Sequence, residues 1–128
     1  MRLGDFLDAH RRRPFVWGSH DCCTFVCAAV QLRSGVDLMD GWPAYSSERE
    51  AAETLRAAGD GTLIKTFRAR MTEIPVAHAR PWDVVALDVK RLGVCAGRLS
   101  AFVGEEGLEF RETLSCLTAF RAEAAATD

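Results

Sequence analysis

With 128 residues, 48% of them hydrophobic and 27% charged, the chain has the composition of one ordinary globular domain and lacks the length for a second core. Sixteen Lys+Arg against eighteen Asp+Glu give a formal net charge of -2, which excludes a global positive field for holding nucleic acid or an anionic membrane. No run of about 18 apolar residues occurs and residues 1–13 hold no apolar leader core, so no membrane span and synthesis in the cytoplasm are expected.

Leu3, Phe6 and Leu7 at helical spacing predict a short amphipathic helix within residues 1–14, with His10 and Arg11-Arg12-Arg13 on a solvated surface. Ser19 to Asp21 supply N-caps for a helix over residues 22–32 that is apolar on nearly every face and stopped by Gly35, the pattern of a buried central helix. Ser47-Glu48-Arg49-Glu50 fits a capping box before Ala51, Ala52, Leu55 and Ala58, and Leu63, Ile64, Phe67 and Met71 predict a fourth helix. From Pro75 the pattern changes: Pro81-Trp82-Asp83 is a turn and residues 84–87 read as a buried strand. Residues 93–97, 100–103 and 108–110, separated by turn residues such as Gly104-Glu105-Glu106-Gly107, predict a small antiparallel meander. Residues 113–120 fit either a helical turn or a strand, and residues 122–128 have nothing to bury and are expected to fray. The expected architecture is one α+β domain over residues 1–128, helices first and a small antiparallel sheet second, without repeat or linker.

Five cysteines, an odd number in a chain without a secretory signal, favour free thiols or a site over a disulfide framework. Cys22 stands at the predicted N-terminus of the buried helix, where unpaired backbone N–H groups and the helix dipole favour a thiolate and make it a candidate nucleophile. Such a thiol needs a base, and the candidates are His20, two residues before it, and His78, in the loop leading to the first strand. The competing reading is core packing, because free cysteine is among the most buried residue types. Cys23 and Cys27 share a helical face, and with Cys95 or Cys116 they could ligate zinc or an iron–sulfur cluster, although the spacing is no recognised ligand run and no cofactor is assigned. Trp17, Trp42 and Trp82 lie at turns beside Gly or Pro, where they either cover the core edge or form the rim of a cleft.

Trp17-Gly18 followed by Asp21-Cys22, and later Pro81-Trp82-Asp83-Val84-Val85 and Leu92-Gly93-Val94, resembles the NlpC/P60 group of papain-like cell-wall peptidases over roughly residues 12–104. The short chain, with its Gly-x-x-Asp-Cys and Leu-Gly-Val-Cys-x-Gly patterns, more closely resembles small NlpC-like proteins encoded with phage and prophage tail genes. The resemblance implies a papain-like fold in which Cys22 takes the nucleophile position, Asp83 the structural acidic position, and Trp17, Gly18, Asp21 and Gly93 the remaining motif positions. Where that family carries its catalytic His, this chain has Arg91, whose guanidinium donates hydrogen bonds only and can neither take nor return the thiol proton. The implied function is a phage tail component, at the tail tip or in tail assembly, catalytically degenerate and working through contacts with other tail proteins. Its implied location is the virion tail, and the host cytoplasm during assembly. The alternative is an active cysteine peptidase or amidase cutting peptidoglycan peptides, with Cys22 as nucleophile, His20 or His78 as base and helix N-terminal amides as oxyanion hole. A further alternative is a structural module held by a cysteine-ligated metal or cluster.

Overall fold

A computed structural model describes residues 1–122; the predicted frayed tail lies almost wholly outside the described residues. Four helices come first: α1 (Leu3–His10), α2 (Cys22–Ser34), α3 (Glu48–Ala57) and α4 (Leu63–Arg70). Six strands follow, β1 (Thr72–Ile74), β2 (Val84–Ala86), β3 (Leu92–Cys95), β4 (Leu99–Gly104), β5 (Gly107–Glu112) and β6 (Thr118–Arg121), with 3-10 turns at Val76–His78 and Thr113–Ser115. They form one antiparallel sheet in the order β1-β6-β2-β3-β4-β5. The fold is therefore α+β, and no helix among the described residues is long and apolar enough to cross a membrane.

α2 is set by its ends and its burial. At its start Asp21 Oδ1 accepts from the Thr24 N–H at 2.8 Å while Thr24 Oγ1 accepts from the Asp21 N–H at 2.8 Å, a reciprocal cap that satisfies two backbone donors. Gly35 ends the helix in the left-handed region at φ 78, its N–H donating to the Gln31 carbonyl. Between them Phe25, Val26, Ala29 and Val30 are buried against Leu92 and Val94 of β3 and their neighbours in the main core. α3 departs in detail from the expected capping box: Ser47 Oγ accepts from the Glu50 N–H, but the Glu50 carboxylate bonds the N–H and hydroxyl of Ser46 instead of reaching back to Ser47.

The central strands β2 and β3 are buried on both faces, which is why β2 reads as an unbroken apolar run. Val84, Ala86, Leu92, Val94, Ala101 and Phe120 join the helices in the main core, whereas the alternate residues Val85, Cys95, Phe102 and Ala119 form a second cluster with Cys116. Gly93 sits where β3 and β4 come closest, since a Cβ there would collide with the Ala101 carbonyl and the Phe102 ring. The meander β3-β4-β5 matches expectation. The last strand does not simply extend it: residues 113–120 contain both a 3-10 turn and β6, and β6 inserts between β2 and the edge strand β1.

The anchor of that insertion is Asp83, buried at the turn before β2. Its carboxylate accepts from the Arg80 N–H at 2.8 Å and from the Arg121 guanidinium at 3.1 and 2.7 Å, and Arg121 also reaches the His78 carbonyl at 3.0 Å. The hydrogen-bonded carboxylate holds the Arg121 pKa above its ordinary value. Removing one partner of such a buried, charge-assisted contact leaves the other poorly solvated. Arg121→Ala is expected to destabilise the domain by about 2–3 kcal/mol, and Arg121→Lys, which loses the fork, by a smaller amount; denaturant unfolding measures both.

Candidate functional site

The Val16–His20 loop leads into α2. The Val16 and His20 backbones bond each other in both directions at 3.0 and 2.8 Å, closing a tight turn that carries Trp17 and Gly18 at its tip. Gly18 adopts φ 79, and a Cβ on it would strike the Tyr45 carbonyl, so this position accepts only glycine. The turn points its Gly18 N–H at Asp21 Oδ2, at 2.9 Å, and Tyr45 donates its hydroxyl to the same oxygen at 2.7 Å. Asp21 is thus a buried carboxylate with three donors around it, and the Tyr45 phenol is held far above its ordinary pKa by burial and by that bond.

Cys22 follows in the first turn of α2, half-buried. Its sulfur faces the start of β3: Sγ donates to the Lys90 carbonyl at 3.6 Å, and the Leu92 backbone also bonds it. The expectation of a lowered thiol pKa fails. Burial pushes the Cys22 thiol up to about 12 from an ordinary 9.0, with the neighbouring Cys23 and Asp21 adding to the rise and the backbone bond from Leu92 only partly opposing it. A helix terminus contributes about 0.3–1 kcal/mol, less than a tenfold change in ionisation, and desolvation outweighs it here.

None of the proposed bases stands beside this thiol. His20 is buried and turned toward α1: its Nδ1–H donates to the Pro14 carbonyl at 3.2 Å and its Nε2 meets His10 Nδ1 at 2.9 Å, the two rings stacked with centroids 5.0 Å apart. His10, expected at a solvated surface, is instead half-buried against Phe6, Phe25 and His20, because α1 lies over the loop. His78 is exposed in the 3-10 turn at Val76–His78, on the side of the domain where Arg121 bonds its carbonyl. Arg91 does stand at the start of β3 between the two residues that touch the sulfur, but its guanidinium is held by Asp88 at 2.9 Å. Its side chain borders a separate hollow of about 500 Å³ with Phe15, Trp17 and Glu109.

The thiol opens instead onto a cleft of about 600 Å³ between the α2 terminus, α3, α4 and the β2–β3 turn. Its walls are apolar: Trp42, Ala52, Leu55, Leu63, Ile64 and Val89. Trp17 stands between the cleft and the second hollow and Trp42 lies under Arg70, while Trp82 packs on Phe6 at 5.5 Å, so two of the three tryptophans line the cleft and one covers the core. Tyr45, Lys65 and Lys90 escaped the sequence reading. The available signal was rarity, since Tyr45 is the single tyrosine and Lys65 and Lys90 are the two lysines of the chain.

The cysteines do not assemble a metal centre. Cys23 Sγ lies 4.0 Å from Cys27 Sγ and 4.0 Å from Met39 Sδ in the main core, whereas Cys95 and Cys116 belong to the second cluster, behind the sheet. Among the described residues no group of three His, Cys, Asp or Glu side chains could hold a metal ion.

Fold and site together define an α+β domain with a half-buried thiol at the start of its central helix, set against the chain entering a central strand and lining an apolar cleft. The family model of a domain of unknown function, DUF6950, matches residues 1–122, and the chain belongs to that family. No curated protein and no solved structure matches the chain.

Two outcomes follow from this geometry. Tyr45→Phe removes one donor from the buried Asp21 carboxylate and is expected to cost about 1–2 kcal/mol in denaturant unfolding, while Asp21→Ala, which strands the Gly18 and Thr24 N–H groups as well, costs about 3 kcal/mol or more. Burial, the facing His20 and nearby Arg13 lower the His10 pKa to about 4 from 6.5, and burial lowers that of His20 too. The unfolded chain therefore takes up protons first, so stability is intact above pH 6.5 and falls as pH drops toward 4. His10→Phe is expected to flatten that part of the thermal-midpoint profile.

Proposed function

We propose that the chain is a peptidase-like domain of the NlpC/P60 kind that no longer hydrolyses, and that it serves as a phage tail component, at the tail tip or in tail assembly, through contacts with other tail proteins. The observation that carries the loss of hydrolysis is the state of Cys22: a thiol raised to about 12, donating to a backbone carbonyl, in a cleft that no histidine lines. A peptidase of this type needs a thiolate and a group that returns the proton to the leaving amine. The family-base position holds Arg91, and its guanidinium is paired with Asp88. The tail assignment rests on the likeness of the Gly18-to-Cys22 and Leu92-to-Gly97 patterns, in so short a chain, to small proteins encoded with tail genes. Its places of action on this reading are the host cytoplasm during assembly and then the virion tail.

One observation favours the active alternative, a cysteine peptidase or amidase cutting peptidoglycan peptides. Cys22 does occupy the first turn of α2 against the backbone of Lys90 and Leu92, where a nucleophile opposite a strand-borne base would stand. Cleavage on this reading requires the Cys22 proton to pass to a base and on to the leaving nitrogen while sulfur forms an acyl bond, which water then breaks, giving the carboxylic acid and returning a proton to sulfur. His20 and His78, the candidates, are occupied or distant from the cleft.

Alkylation by iodoacetamide, with Cys22→Ser as control, is expected to be slow at neutral pH and to accelerate only in strongly alkaline solution. Purified peptidoglycan is expected to yield no soluble peptides with the wild type or with Cys22→Ala, and the Cys22→Ala chain is expected to support tail assembly as the wild type does. Rapid neutral alkylation together with Cys22-dependent peptide release would establish the hydrolase and remove the degenerate reading.

A further inference from the structure

The cleft beside Cys22 carries a charge pattern that the proposed tail role does not use. The chain contains fourteen arginines but two lysines, and both lysines, Lys65 from α4 and Lys90 from the β2–β3 turn, line this one cleft. Both are exposed, and among the described residues neither forms an ion pair, whereas Arg11, Arg49, Arg68, Arg70, Arg91, Arg111 and Arg121 all do. The acidic residues of the cleft are Glu48, on α3, and Asp21, whose carboxylate is already enclosed by the Gly18 and Thr24 N–H groups and the Tyr45 hydroxyl. Among the exposed charges of the cleft Lys65 and Lys90 outnumber Glu48, whereas the fourth charge, Asp21, is buried.

Inside, the polar groups are taken. Tyr45 gives its only proton to Asp21, and the Cys22 thiol is engaged with the Lys90 carbonyl. No buried side-chain nitrogen or oxygen among the described residues lacks a partner. A peptide backbone laid along the apolar walls would bring an amide and a carbonyl at every residue, more polar groups than these walls can pair, and burying them unpaired is unfavourable. A hydrocarbon brings none. At about 600 Å³ with mostly apolar walls, the cleft has the size and character of a small-ligand site.

We propose that this cleft binds a single-chain anionic amphiphile, a medium- to long-chain carboxylate whose hydrocarbon lies against Trp42, Leu55, Leu63 and Ile64 and whose head group meets Lys65 and Lys90. The inference stands independently of the tail role, and it needs no chemistry at Cys22.

The probe is 11-(dansylamino)undecanoic acid added to the full chain. Its emission is expected to rise and shift to the blue, and dodecanoate is expected to displace it while dodecyltrimethylammonium, with the same chain and the opposite charge, competes at least about tenfold more weakly. Lys65→Glu/Lys90→Glu is expected to weaken dodecanoate binding by about tenfold or more with an unchanged thermal midpoint. Ala52→Trp fills the cleft and abolishes probe binding; Val89→Trp, at an exposed wall position, makes the same test if the first variant does not fold. Absence of any probe response, equal competition by the two amphiphiles, or affinity unaltered by the lysine substitutions would overturn the proposal. So would displacement by an apolar peptide ending in a free carboxylate under conditions where dodecanoate fails, which assigns the cleft to a protein partner.

Discussion

The Asp21 carboxylate is the constraint on which the site depends. One oxygen caps α2 through the Thr24 N–H, and the other gathers the Gly18 N–H of the preceding turn and the Tyr45 hydroxyl of the loop before α3. A buried carboxylate is tolerated only when its lone pairs are met, so three separate pieces of chain must converge on it for any of them to be stable there. That convergence fixes the direction of α2, the conformation of Gly18, and the wall that Tyr45 and Trp42 place over the cleft.

The same convergence determines the chemistry of the next residue. Cys22 emerges beside a carboxylate and a second cysteine and is largely desolvated, and each of these disfavours a thiolate, outweighing the Leu92 backbone bond that favours it. Position at a helix terminus is not enough to make a nucleophile: the dipole is a small, partly screened contribution, and the surrounding medium decides its worth. Arg91, just before β3, offers no proton acceptor, and its guanidinium is paired with the Asp88 carboxylate. The result is an apolar cleft whose buried polar groups, Asp21, Tyr45 and the Cys22 thiol, are bonded to their own neighbours.

Burial of the central strands on both faces explains a second set of features. The helices cover one face, and the 3-10 turns with Cys116, Val76 and Ala79 cover the other, so Cys95 and Cys116 serve as small apolar side chains and are separated by the sheet from Cys23 and Cys27. The insertion of β6 between β1 and β2 brings Arg121 to Asp83 and closes the second face.

Much of the fold was legible because its causes are local. Capping residues Asp21 and Ser47, the stop at Gly35, the apolar run at Val84 and the turn between β4 and β5 all act within a few residues, and each element they predict is present. Edge strand β1 was not legible, and residues 113–120 stayed open between a helical turn and a strand, since three- and four-residue strands are specified by their neighbours rather than by their own pattern. The sequence by itself determined the helix-then-sheet order, the place of Cys22 at the head of α2 and the absence of a His before Leu92-Gly93-Val94. Only the tertiary structure decided which way His20 turns, that His10 is packed against it, that Arg91 belongs to Asp88, and that the two lysines meet at one apolar cleft. The physical reason is range: caps and periodicity are read from adjacent residues, whereas desolvation and charge pairing depend on what distant segments bring alongside.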